Sequence, residues 1–95
     1  MNYINILEKM YKSRFFEEKL QREFNEGNLY GTTHLSIGQE ASHVGLCSAL
    51  REGDWIVPTH RCHGFNIAKG SDIEAMFSEM LGSRHGLCKG LGGSM

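Results

Sequence analysis

The sequence predicts an α/β fold that is mostly helical, with one short strand of the parallel type near residues 55–57. Apolar residues recur at helical spacing over residues 3–26 and again after residue 71. Between these regions, Trp55-Ile56-Val57 is a short apolar run that precedes Pro58, the only proline. A lone strand leaves its backbone groups unpaired, so we expect its sheet to be completed from outside these residues. The alternative is a small helical bundle without the strand.

The first predicted helix covers residues 3–26, where apolar positions recur at steps of three and four with charged residues between them. Gly27 follows as a typical helix stop, and residues 28–33 have the polar and glycine content of a loop. The apolar positions of this helix are Ile4, Leu7, Tyr11, Phe15, Phe16, Leu20 and Phe24.

A second helix is predicted over residues 36–50, because Ser36 and Gln39 have the spacing of a capping box. Its Ala41, Gly45 and Ala49 form a surface of small residues, which predicts that another element packs closely against it.

Two shorter helices are expected next. One ends at Lys69, before Gly70, and the other begins with a capping box of Ser71 and Glu74 and ends before Gly82. Met76 and Met80 of the last helix are expected in the core. Residues 83–95 form a glycine-rich loop that lacks the strand and helix flanking a phosphate-binding fingerprint.

Composition narrows the function classes. The 95 residues are 40% hydrophobic and 22% charged, which is typical of a single packed unit and excludes a self-sufficient multidomain enzyme. Ten basic and eleven acidic residues give a net charge of −1, which disfavours a nucleic-acid partner. Without a membrane-length apolar run or a secretory signal, we expect no membrane partner and a cytoplasmic location. The wide spacing of Cys47, Cys62 and Cys88 predicts reduced thiols.

His60, Arg61 and His63 directly follow the predicted strand, where ligand sites open in parallel sheets. Arginine offers a fork of donors for phosphate or carboxylate oxygens, and histidine exchanges a proton near neutral pH. A solvated loop explains these residues equally well. His60, Cys62 and His63 are too close in sequence to converge on a metal ion without further ligands, so no metal site is predicted.

His34 lies shortly before the second predicted helix, whose free N–H groups attract anions. By itself, however, His34 is more simply interpreted as a residue that helps to cap that helix.

Three ordered blocks then stand out: HLSIGQEA at residues 34–41, THRCHG at 59–64 and GLCKGLGGSM at 86–95. Together they resemble the alpha subunit of the thiamine-diphosphate-dependent decarboxylating component of 2-oxo acid dehydrogenase complexes, the pyruvate and acetoin dehydrogenase type. The resemblance extends from about Ser13 to Met95.

The resemblance implies a thiamine-diphosphate-binding fold, of which residues 1–95 would be a single, incomplete, amino-terminal unit. The parent enzyme would act on acetoin or a small 2-oxo acid such as pyruvate and pass the acyl group to a lipoyl group. Its implied partners are a beta subunit and a lipoyl-bearing acyltransferase component. Magnesium would be held by a motif beyond this chain, so the 95 residues alone are expected to be inactive.

Residue by residue, the resemblance implies that Arg61 and His60 contact the cofactor diphosphate. It implies that His34 lies beside the thiazolium ring and the substrate, and that His63 is a second active-site histidine. His60 replaces a tyrosine frequent in pyruvate dehydrogenases and, with Gly86-Leu87-Cys88, favours the acetoin branch. His34 argues against the branched-chain relatives.

A different class of function is also open. The chain would then be a small helical subunit-interaction module without catalysis, binding through its first helix and the small-residue surface around Gly45.

Overall fold

The computed structural model describes residues 2–29 and 31–94, and these residues form four helices. Helices α1, α2 and α3 pack against one another, and α4 packs against α1. The helices are α1 (Tyr3–Asn25), α2 (Glu40–Ser48), α3 (His63–Lys69) and α4 (Ile73–Met80).

The long first helix is confirmed, but it is apolar on two sides. Phe16 and Leu20 are buried, whereas Ile4, Leu7 and Tyr11 are exposed on another side of the helix. The two sets differ because the step from Phe15 to Phe16 shifts the apolar pattern by about 100° around the axis. The sequence therefore overestimates how much of α1 faces this chain's core.

The core lies where α1, α3 and α4 meet. The rings of Phe16 and Phe77 pack edge to face with centroids 5.5 Å apart. As predicted, Met76 and Met80 are buried in the core. The buried cluster consists of Phe16, Leu20, Ile67, Met76 and Met80.

The second helix exists, but its predicted start is wrong. It begins at Glu40, and the capping position Gln39 makes no side-chain capping bond. Ser36 instead donates its backbone N–H to Glu17 Oε2 at 2.6 Å, which holds it in the preceding loop. A tertiary contact has replaced the local capping box.

The two shorter helices are confirmed, with one change of cap. Gly70 ends α3 in the left-handed conformation at φ 103°, as a helix stop should. Helix α4 is capped by Asp72, whose side chain accepts from Ala75 N at 3.0 Å, and not by the predicted Ser71.

The predicted strand at residues 55–57 is not formed. The segment has no regular structure, and the side chains of Trp55 and Val57 are 92% and 96% exposed. A strand needs a neighbour to satisfy its backbone groups, and residues 2–29 and 31–94 contain no strand to pair with it. Over the described residues the architecture is helical.

The small-residue surface on α2 is also uncovered. Ala41, Gly45 and Ala49 are exposed, and no atom of the described residues outside the local helix backbone and the adjacent residues lies within 4 Å of a Cβ built on Gly45. Close packing against this surface was therefore a wrong expectation for the described part of the chain.

All three thiols are free, as the cysteine spacing predicts. In the described ranges, no helix has both the length and the apolar character to cross a membrane.

Candidate functional site

Two loops meet at the candidate site, one before α2 and one before α3. They bring His34 and His60 into contact, with ring centroids 4.5 Å apart and planes at 78°. Arg61 joins them by donating from Nη1 to the carbonyl oxygen of Leu35. Three of the four predicted site residues therefore lie together, although His34 is 26 positions before His60 and 27 before Arg61 in the sequence.

Arg61 keeps most of its donor capacity. Its side chain is exposed and forms no ion pair with an acidic residue of the described chain, and Leu35 O takes only one of its N–H groups. A guanidinium carries five N–H donors in a planar fork. The remaining donors suit an anionic group with several oxygens.

The surroundings of His34 favour the neutral form of its ring. Desolvation lowers its pKa below the ordinary value, and the neighbouring charges of His60 and Arg61 lower the pKa further. A neutral imidazole offers one donor and one acceptor. Since α2 begins only at Glu40, the capping role considered for His34 does not apply.

His63 lies close by but is engaged differently. Its ring is 1% exposed at the start of α3, where Nδ1 lies 2.7 Å from Glu17 Oε1. Its Nε2 lies 3.2 Å from Ser94 Oγ and 3.4 Å from Ser94 O. The structure therefore places His63 within a buried polar cluster, with Nε2 directed toward the glycine-rich loop.

A pocket of about 240 Å³ lies beside His63. Cys62 lines it, and burial raises the pKa of that thiol, so the thiol stays protonated at neutral pH. Other lining residues come from α4 and the glycine-rich loop; they include Met76, Glu79, Cys88, Gly93 and Ser94.

Glu79 organises the glycine-rich loop, which the sequence analysis missed. Its Oε1 accepts the backbone N–H groups of Cys88 at 2.6 Å and Gly90 at 3.0 Å. Its Oε2 accepts those of Gly92 at 2.9 Å and Gly93 at 3.0 Å. These bonds, led by the one from Gly93, outweigh desolvation and lower the pKa of Glu79 to about 2.

The loop therefore forms an anion-binding concavity that the protein's own carboxylate fills. The close approach requires glycine, because a Cβ on Gly86 would lie 2.5 Å from the Glu79 backbone. These bonds fix the position of Ser94, which follows Gly93 and contacts His63.

Glu17 is the second residue that the sequence analysis missed. It is completely buried in α1 and connects His63 to Ser36, two residues beyond His34. Glu17 and the exposed Glu18 are adjacent acidic residues of one helix, so nothing local distinguishes them. The one available signal is its position on the helix, because Glu17 lies on the same side of α1 as the buried Phe16 and Leu20.

The described residues contain no group of three or more histidine, cysteine or acidic side chains placed to hold a metal ion.

Comparison with known proteins gives a consistent result. The sequence pattern of the dehydrogenase E1 component family matches residues 8–95. The chain is 50% identical over 88 residues to the alpha subunit of acetoin:2,6-dichlorophenolindophenol oxidoreductase of Bacillus subtilis, covering 93% of this chain and 26% of that protein.

Two further relatives are similar over comparable lengths. The Cupriavidus necator protein of the same name is 46% identical, over 97% of this chain and 28% of the relative. The pyruvate dehydrogenase E1 component subunit alpha of Rhizobium meliloti is 44% identical, over 92% of this chain and 25% of the relative. The chain thus spans about a quarter of the length of these relatives.

Proposed function

Because this chain belongs to the dehydrogenase E1 component family, we propose that residues 1–95 are the amino-terminal portion of a thiamine-diphosphate-dependent dehydrogenase alpha subunit. The observation that carries the proposal is the meeting of His34, His60 and Arg61 from two separate loops. These are the residues for which the family resemblance implies contact with the cofactor. A subunit-interaction module without catalysis would not require this convergence.

The donor set at this site fits a diphosphate. Arg61 has free, exposed N–H groups for diphosphate oxygens, and His60 is exposed beside it. Charge-assisted hydrogen bonds from a guanidinium to phosphate are short, strong and directional. In this role Arg61 and His60 bind the cofactor, and the bond from Arg61 to Leu35 O sets the direction of the guanidinium.

His34 orients the substrate in this proposal. Its lowered pKa keeps the ring neutral at physiological pH, so the ring can donate to a carbonyl or hydroxyl oxygen without carrying a charge. Thiamine diphosphate, when bound, supplies the carbanion chemistry on the 2-oxo acid or acetoin. His63 supports the site from the buried side through Glu17 and Ser94.

Acetoin is the favoured substrate, with pyruvate as the alternative. The two relatives named for acetoin are 50% and 46% identical to this chain, and the Rhizobium meliloti pyruvate dehydrogenase subunit is 44% identical. His60 and the sequence Gly86-Leu87-Cys88 favour the same branch.

The partners belong to the proposal as well. The relatives are named as alpha subunits, which supports a beta subunit as the first partner, and a lipoyl-bearing acyltransferase component would accept the acyl group. A downstream Gly-Asp-Gly and asparagine motif, which is not in this sequence, would hold magnesium. We place the protein in the cytoplasm, although some relatives are named as mitochondrial or chloroplastic.

The test replaces Arg61 by alanine in the protein that carries this chain, purified with its beta subunit. Hydrogen bonds to charged groups contribute about 1.5–3 kcal/mol each, so we expect thiamine diphosphate affinity to fall about 10- to 100-fold. The rate at saturating cofactor should fall less. Calorimetric titration with the cofactor measures the first quantity and steady-state kinetics the second.

Arg51→Ala is the matched control, because Arg51 is exposed and, among the described residues, its side chain forms an ion pair with Asp54 alone, at 3.5 Å. It should leave cofactor affinity unchanged. Unchanged affinity in Arg61→Ala would overturn the assignment.

A further inference from the structure

Glu17 joins the two loops of the candidate site from beneath. Its Oε1 lies 2.7 Å from His63 Nδ1, and its Oε2 accepts from the backbone N–H of Ser36 at 2.6 Å. The Ser36 hydroxyl lies 3.3 Å from the same Oε2. Ser36 is two residues from His34, and His63 is two residues from Arg61.

Burying such a cluster of polar side chains costs free energy, so it is not an efficient way to stabilise a fold. Glu17, Ser36 and His63 have at most 1% of their surface exposed. Removing a charged group from water costs several kcal/mol even when it is paired, and apolar residues of similar volume often stabilise a fold equally well or better. This burial cost favours a role for the cluster besides stability.

The directions of the hydrogen bonds in this cluster follow from the Ser36 backbone N–H, which is always a donor. The Ser36 backbone N–H can only donate, so Glu17 Oε2 must accept. As a carboxylate, Glu17 also accepts at Oε1, so the facing Nδ1 of His63 must carry a proton. In the neutral ring, Nε2 then has a lone pair, which accepts from the Ser94 hydroxyl 3.2 Å away. The Ser94 carbonyl oxygen, which lies farther away at 3.4 Å, then makes a contact with Nε2 without a hydrogen bond.

We propose that Glu17 is a positioning residue, which fixes the proton of His63 on Nδ1 and sets the loops of His34 and Arg61 relative to each other. His63 thereby presents Nε2 as an acceptor to Ser94 and the adjoining pocket. The inference rests on the proposed function only in assigning the two loops to a cofactor site. The protonation state of His63 is independent of that assignment.

The order carboxylate, imidazole, hydroxyl also occurs in serine hydrolases. Here, however, the N–H groups of Gly92 and Gly93 beside Ser94 are bonded to Glu79, so neither is available to stabilise an oxyanion. The arrangement therefore supports a positioning role and not a nucleophilic serine.

Nitrogen NMR of the histidine rings tests the proposal, using the protein that carries this chain, labelled with ¹⁵N-histidine and purified with its beta subunit. In the unsubstituted protein, we expect His63 to carry its proton on Nδ1, which faces Glu17 Oε1. A bare Nδ1 there would overturn the proposal without any variant.

Glu17→Gln gives the sharper result. The amide oxygen must face the Ser36 N–H, which leaves the amide NH₂ facing His63 Nδ1. We therefore expect the proton to move to Nε2, so that the tautomer is inverted. A purely structural role for Glu17 predicts loss of stability with no inversion, and a folded Glu17→Gln variant that retains Nδ1–H contradicts the proposal.

Two further variants complete the test. Glu18→Gln changes the adjacent, exposed glutamate of α1 and should retain the Nδ1–H tautomer. Ser94→Ala removes the hydroxyl at Nε2 and should also retain it, because Glu17 sets the proton. An inversion in Ser94→Ala would assign the tautomer to Ser94 and overturn the proposal, even if Glu17→Gln fails to fold.

The two hypotheses fail separately. Unchanged cofactor affinity in Arg61→Ala would remove the proposed function and leave the role of Glu17 intact. An unprotonated Nδ1 in the unsubstituted protein would overturn the role of Glu17 and leave the proposed function intact.

Discussion

The His43 ring of α2 packs closely against Gly64 and Phe65 of α3. The His43 ring stacks on Phe65 with centroids 4.0 Å apart and lies directly against Gly64. Burial lowers the pKa of His43, which keeps the ring neutral in this environment. A Cβ on Gly64 would lie 2.1 Å from His43 Nδ1 and 3.1 Å from Ser13 Oγ. The position therefore requires glycine for space.

We expect Gly64→Ala to destabilise the fold, because the added methyl group must displace the His43 ring. Overpacking of this kind costs about 1–3 kcal/mol in free energy of unfolding. Urea titration followed by circular dichroism measures it. Gly45→Ala is the control, since Gly45 is also helical but has no atom near its added Cβ. That variant should gain about 0.5–1 kcal/mol, because alanine is the better helix former.

The residues that the sequence identified and those that it missed differ in kind. His34, His60 and Arg61 have side chains whose chemistry is informative wherever they occur. Glu17 and Glu79 are ordinary glutamates until the fold places amide and imidazole N–H groups around them. Their roles depend on contacts 9 to 46 positions away in the chain, which no local pattern contains.

Among the helices, periodicity predicted the elements better than the caps. All four helices occur near their predicted positions, because apolar spacing and glycine stops are strong local signals. The capping boxes at Ser36 and Ser71 were both wrong, because a neighbouring element took Ser36 and the adjacent Asp72 competed with Ser71. The strand failed because a strand depends on a partner, and its sequence does not specify one.

Helix α4 allows the two caps to be compared directly. Asp72→Ala should lower the free energy of unfolding by about 1 kcal/mol, because the N–H of Ala75 loses its partner. Ser71→Ala should change it by less than about 0.5 kcal/mol, as expected for a residue outside the cap. Thermal melting of the two variants measures the difference. A larger loss for Ser71→Ala would restore the capping box that the sequence predicts.

At the scale of the whole molecule, acid should lower stability by weakening the bonds that anchor the glycine-rich loop to Glu79. The pKa of Glu79 is about 2 in the folded chain, against an ordinary value of 4.5. Its contribution to stability is therefore complete above pH 4.5 and is lost as the pH falls toward 2. We expect the free energy of unfolding to decline over that interval in urea titrations at several pH values.

Glu79→Gln should reduce this decline, because the amide does not titrate and has only one oxygen for the four N–H groups. The variant should be less stable at neutral pH and show a shallower slope below pH 4.5. Glu74→Gln, on the exposed side of the same helix, should keep the slope of the unsubstituted chain. Equal slopes in Glu79→Gln and the unsubstituted chain would show that Glu79 does not anchor the loop.

The whole-molecule architecture was predictable only in outline. Helix content and family resemblance indicated which loops matter, and the structure brings those loops together as the blocks suggest. The sheet expected around residues 55–57 requires partners that the described residues do not supply.

The exposure of Trp55 has a practical consequence for following assembly. It is the only tryptophan in the sequence, and its side chain is almost completely in water. Indole fluorescence moves to shorter wavelengths when the ring leaves water. Residues 55–57 therefore carry an intrinsic fluorescent probe. When another chain binds over this segment, the emission of Trp55 shifts to the blue, so binding can be followed without an added label.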